Sequence, residues 1–243
     1  MFQFIYKKKI RKSYNEYRKQ FNFDIIDNEP KFISDSSGEM AYTDNEELVD
    51  CIKQNKSVTL YCNKRLFKCQ PTYINAILYH EFVHISDCYN FFDCDNPNIL
   101  MSAYSEANAK KMEYLVQCNN RAVELDYEIC GEDGMTTPRK EIEEYLNIII
   151  SIADLKVPIP EDKIADIGCM FTKSFSYMFG LLSFYETSEP EYFQGCFDRM
   201  DESYGSLAKR LYQEIQDVNN IKKNPSRVVE MVTNLVIICV LSK

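Results

Sequence analysis

The chain has 243 residues and only two histidines, and both lie in one five-residue stretch, His80-Glu-Phe-Val-His84. On a helix, positions four apart project from the same face, so the two imidazoles can hold one metal ion between them. Glu81 follows the first of them and can reach a metal-bound water as general base. The surrounding residues support a helix from Pro71 to about Tyr89. Ile74, Leu78, Phe82, Ile85 and Tyr89 recur at steps of four, four, three and four, which predicts one apolar stripe facing a core.

Two histidines and a water leave one ligand to be supplied. No third histidine exists, so the class that takes its third imidazole shortly after the motif is excluded. Glu106, in Tyr104-Ser-Glu-Ala-Asn-Ala109 near the start of a second predicted helix, is the expected third ligand, with zinc as the metal. The small residues Ala103, Ala107 and Ala109 would let the two helices approach. Glu113, two turns further along, is the alternative; at most one of the two can reach the metal, and Glu113 is expected to be dispensable. Asp87, one turn beyond His84, is a candidate for hydrogen-bonding a ligand. With no histidine to spare, a group that stabilises the transition state must be Tyr, Arg or Lys, and Tyr104 and Arg121 are nearby in sequence.

These residues resemble a known family. Leu60-Tyr-Cys-Asn-Lys-Arg-Leu66, His80-Glu-Phe-Val-His-Ile-Ser-Asp87 and Ser105-Glu-Ala-Asn-Ala109 are similar to motifs of the mitochondrial metallopeptidases that process an ATP-synthase subunit. The likeness covers about residues 58–118 and departs at Asn63-Lys64 and Ala107-Asn108. The Glu-Ala-Asn segment is also similar to phage and stress-response zinc peptidases that cleave repressors. The resemblance implies a gluzincin-type zinc peptidase with His80, His84 and Glu106 as ligands, Glu81 as catalytic base, and a zincin-like α+β core of a short sheet with active-site helices.

Around the motif, Ser57–Cys69 alternates like a strand. The Gly131–Gly134 stretch breaks the chain, and beyond it helical patterns occupy 138–154, 162–187, 190–202, 205–219 and 225–241. Thr137 is the expected N-cap of the first, with Pro138 at its first position. A catalytic region over 1–130 with a basic N-terminal arm, and a helical region over 131–243 packed on it, is the expected division. The aromatic run Phe171, Phe175, Tyr177, Phe179, Phe184 and Tyr185 reads as helix core, and Val232–Leu241 as a buried helix.

Composition bounds the partners. The formal net charge is −9, although residues 1–20 carry seven Lys/Arg against Glu16 alone. An acidic body argues against nucleic acid, and a protein or peptide substrate is expected. No apolar stretch reaches the ~20 residues of a membrane span. The ten cysteines include no Cys-x-x-Cys pair and follow no secretory signal, so reduced thiols and a cytoplasmic location are expected. The alternative is the mitochondrial intermembrane space, or export without a recognisable signal, with Cys69, Cys88, Cys94 and Cys118 available to pair. The alternative function is a non-catalytic zincin-fold binding protein whose C-terminal helices dock a partner.

Overall fold

The computed structural model describes residues 2–22, 24–34, 39–118, 129–131 and 134–242. Arg121 and the tip of the Gly131–Gly134 turn lie outside them. The described chain is mostly helical, with one small mixed sheet, and fits an α+β class broadly.

Helix α1 (Phe2–Phe21) leads into β1 (Lys31–Ile33), β2 (Ala41–Tyr42), α2 (Asn45–Gln54) and β3 (Tyr61–Asn63). The sheet order is β1-β3-β2, with β1 parallel and β2 antiparallel to the central β3. The strand expected over Ser57–Cys69 is thus much shorter. Its end has a local cause: the Asn63 side chain accepts from the Arg65 N–H at 3.0 Å and caps a 3-10 turn over Lys64–Lys68.

Helix α3 (Pro71–Phe91) carries the histidine motif. Ile74, Leu78, Phe82 and Ile85 are fully buried as the stripe predicts, whereas Tyr89 is exposed. The opposite face is buried too, since His80, Glu81, His84 and Asp87 are all closed from solvent. α1 covers the apolar stripe with an aromatic contact set: Tyr14, Tyr17 and Phe21 all meet Phe82 edge-on or tilted.

The second predicted helix is a composite of α4 (Pro97–Leu100), a π-helical turn over Met101–Ser105 and α5 (Glu106–Gln117). A hairpin of β4 (Ile129–Gly131) and β5 (Gly134–Thr136) precedes α6 (Pro138–Ala153), where Thr137 caps the Lys140 N–H as expected. Then follow α7 (Ile164–Leu182), α8 (Tyr185–Ser188), α9 (Pro190–Asp198), α10 (Glu202–Glu214), α11 (Val218–Lys223) and α12 (Pro225–Val236), with a second π turn over Ile237–Leu241. No described helix is long and apolar enough to cross a membrane.

The two halves share one core. α5 packs against both α3 and α7, and α7 against α6. Gly180 of α7 shows how closely: a Cβ built there would lie 2.2 Å from the carbonyl oxygen of Ala107 on α5. Ala107 therefore does serve a close helix approach, but towards α7. The Val232–Leu241 segment is amphipathic, a correction to the buried helix expected: Val232 and Leu235 are buried while Ile237 and Leu241 are exposed.

Candidate metal centre

α3 sets His80 and His84 one turn apart with ring centroids 4.7 Å apart, and the start of α5 brings Glu106 against them. One side-chain atom from each of His80, His84 and Glu106 falls within 4.8 Å of the others, all three residues being buried. Glu106 Oε2 stands 3.7 Å from His80 Nε2 and 3.5 Å from His84 Nε2.

The remaining ring nitrogens fix the tautomers. His80 Nδ1 lies 2.9 Å from Glu113 Oε2. Burial opposes a charge on Glu113, but Lys110 and His80 outweigh it and hold the carboxyl down at about 2. An ionised carboxylate only accepts, so His80 Nδ1 carries a proton and Nε2 is the atom turned to Glu106. His84 Nδ1 lies 2.8 Å from the Ser105 hydroxyl, which is itself hydrogen-bonded to Asp87. Burial lifts the Asp87 carboxyl to about 6, moderated by Asn108, whose amide donates to both its oxygens at 3.2 and 3.0 Å. With Ser105 donating to Asp87, its oxygen accepts from His84 Nδ1–H, and His84 Nε2 is likewise turned to Glu106.

His80 Nε2, His84 Nε2 and Glu106 Oε2 therefore converge in a buried space, and Glu106 Oε2 makes no hydrogen bond of ordinary length. Such an arrangement costs free energy unless a cation fills it. The wider charge distribution agrees. Around the site the carboxylates of Glu39, Glu81, Glu106, Glu113 and Glu141 face the ammonium groups of Lys110 and Lys173, a surplus of negative charge. Burial alone would lower His80, yet Glu106 and Glu113 raise it to about 9. The group can bind a metal ion, and each imidazole carries the hydrogen-bonded outer partner that orients metal-bound histidines elsewhere.

Glu81 is held from the sheet. The N–H of Thr43, just past β2, donates to its Oε2 at 3.0 Å. Burial raises the Glu81 carboxyl, against the pull of His84 and His80. α7 contributes two groups: Lys173 Nζ is 3.6 Å from Glu106 Oε1 and 3.4 Å from Glu39 Oε1, and the Tyr177 ring stands edge-on to His80 at 6.1 Å. Lys110 and Lys173 both lie over that ring, at 5.7 and 5.4 Å. Burial pushes the Tyr177 hydroxyl far above its ordinary range, so it stays protonated. α7 is tied to the ligand-bearing helix by the Ser176 hydroxyl, which donates to the Ser102 carbonyl in the π turn at 2.6 Å.

His80, Glu81, His84 and Glu106 are thus brought together as the spacing predicts. Asp87 reaches His84 only through Ser105. Glu113 is not in the metal-binding group; its carboxylate meets His80 Nδ1, a contact the spacing did not predict. Tyr104 packs edge-on against Phe91 at 5.5 Å and does not line the cavity over the site. Tyr177, expected only as core, does line it, together with Lys173 and Lys110. A tyrosine inside an apolar helical stripe carries no signal in the sequence that sets it apart from its Phe neighbours.

The cavity has a volume of about 850 Å³ and opens over His80, Glu81, His84 and Glu106. Its walls come from the segment Glu39–Asp44, from α3, from the α4–α5 composite, from α7 and from α12 with its π turn. Cys51, Cys62, Cys88, Cys94, Cys169 and Cys196 are free thiols, and no cysteine belongs to the metal-binding group found among the described residues. Comparison of the chain with family models, with curated proteins and with solved structures finds no match.

Proposed function

We propose that the protein is a zinc-dependent, gluzincin-type metallopeptidase that hydrolyses peptide bonds of a protein or peptide substrate. The observation carrying this reading is the convergence of His80 Nε2, His84 Nε2 and the unpartnered Glu106 Oε2 beside a buried Glu81. Two imidazoles and one carboxylate with an open position suit catalytic zinc. Bound there, zinc would supply Lewis-acid polarisation of the scissile carbonyl and of a water molecule.

The chain's own residues supply the rest. Thr43 fixes Glu81 through Oε2, which leaves Oε1 to take a proton from water and return it to the leaving amine. The burial that raises the Glu81 carboxyl makes it the stronger base. Tyr177 and Lys173 place an O–H and an ammonium in the same cavity, where negative charge develops on the carbonyl oxygen. Glu113 and the Asp87–Ser105 pair hold the two imidazoles in register. The likeness of residues 58–118 to the mitochondrial processing peptidases supports the same ligand set.

Protein purified without chelator should carry one zinc per chain by elemental analysis. Glu81→Gln should keep that zinc and fold normally, and lose hydrolysis of an unfolded protein such as casein, because an amide cannot accept the proton. No zinc before or after titration sinks the proposal. A wild-type protein that binds zinc and cleaves nothing fits instead a binding protein with a zincin-like site.

A further inference from the structure

The cavity lining is of two chemical kinds. It holds the charged metal-binding group and also the apolar side chains of Ile77, Ile99, Val232, Val236, Ile237 and Leu241. Among the described residues only five large apolar side chains are exposed, and two of them, Ile237 and Leu241, line this wall. Leaving such side chains in water opposes folding, and a built cavity rimmed by them fits an apolar ligand group.

The backbone at this wall is unusual in the same way as at the metal group. π-helical turns are rare and gather at functional sites. Both π turns of the described chain border the cavity: Met101–Ser105 runs straight into Glu106, and Ile237–Leu241 presents Ile237 and Leu241. The second is closed by Ser242, whose N–H and hydroxyl both donate to the Ile237 carbonyl, at 2.9 and 2.8 Å. Gly168 of α7 lies against the end of α12 that leads into it, with Val236 Cγ1 3.9 Å from where a Cβ would stand.

Spacing relates the Ile99 side of the wall to the metal-binding group. Ile99 precedes Glu106 by seven residues on the composite helix, about 10 Å at 1.5 Å per residue. An extended peptide covers that distance in about three residues.

Resting on the peptidase reading, we infer that the wall of α12 and its π turn is a specificity subsite for one large apolar side chain of the substrate, within about three residues of the bond cut. The occupant is a Leu-, Ile-, Met- or Phe-sized group, because the wall offers aliphatic surface and no charge.

The probes are fluorescein-labelled octapeptides of Gly, Ala and Ser carrying a single Phe, or a single Asn as control, at each position in turn. Binding to zinc-loaded Glu81→Gln protein is followed by anisotropy, and cleavage by wild type is followed by mass spectrometry. Phe should tighten binding about tenfold over Asn at one position, as expected for removing one large side chain from water. Ile237→Asp and Leu241→Asp, both at exposed positions, should erase the preference while zinc content and melting temperature stay as in wild type. Equal binding of Phe and Asn peptides, or no binding of either, overturns the inference. Cleavage without preference does so while leaving the peptidase reading intact. Preferential binding with no cleavage by wild type supports the subsite and overturns the peptidase reading.

Discussion

At the scale of single residues, the site is a set of protons assigned by their neighbours. Glu106 has nothing to hold its inner oxygen, whereas Glu113 spends one oxygen on His80 Nδ1 and the other on Lys110 at 3.2 Å. The two carboxylates, seven residues apart on one helix, should therefore separate sharply in a metal-affinity measurement. Glu106→Ala removes a ligand and should abolish stoichiometric zinc. Glu113→Ala frees the His80 ring to turn and should weaken zinc by about 10–100-fold, with Glu113→Gln falling between that and wild type because its carbonyl still accepts. Competition against a chromophoric chelator measures both; unchanged affinity in Glu113→Ala would make that carboxylate a passive part of the core. Tyr177 is testable in the opposite direction. Tyr177→Phe keeps the ring between Lys110 and Lys173 and deletes only the hydroxyl, so zinc content should hold. If the hydroxyl donates to the developing oxyanion, kcat should drop about 10²-fold with little change in KM. Equal kcat in the two proteins would leave Lys173 as the cation that serves.

At the scale of elements, α7 is the part that must not move. It delivers Lys173 and Tyr177, it is bonded to the ligand helix through Ser176, and it crosses α5 at Gly180 with no room for a side chain. Gly180→Ala must push the two helices apart, an overpacking change of about 1–3 kcal/mol, and should lower the urea midpoint and activity together. Gly195→Ala on α9 is the matched control: nothing lies within 4 Å of its added Cβ, so helix propensity alone should leave stability equal or raise it by up to about 1 kcal/mol. Similar losses in both would mean that the crossing is looser than the geometry states. This scale also shows what a sequence can reveal. The His80–His84 face and the Glu106 register were legible because they rest on periodicity within one helix and on one loop length. The Thr137 cap was legible for the same reason. Glu113, Lys173 and Tyr177 were not, because their roles are set by which helix stands opposite, and residues 106 and 177 meet only through a crossing between distant segments. The shortened β3 was hidden by an asparagine whose side chain caps its own chain two residues on.

At the scale of the whole molecule, the division expected near residue 130 does not separate site from support. His80, Glu81 and His84 come from α3 and Glu106 from α5, Thr43 beside the sheet holds Glu81, the cations and the tyrosine come from α5 and α7, and Lys110 is further paired to Glu141 of α6 at 2.8 Å. A metal ion bound here joins α3 to α5, against which α7 packs, so its binding free energy should appear as global stability. Zinc held at about 1,000 times its dissociation constant would contribute about 4 kcal/mol. For a chain of this length that corresponds to roughly 8–16 °C in melting temperature. Chelation should accordingly shift one cooperative transition downward by about that amount, and re-addition of zinc should restore it. The Glu106→Ala protein should melt at one temperature with or without chelator, since it has no site to empty. A chelator-induced early transition that leaves the rest of the melt unmoved would show instead that the ligand helices open by themselves, and that the 131–243 segment folds independently of the metal.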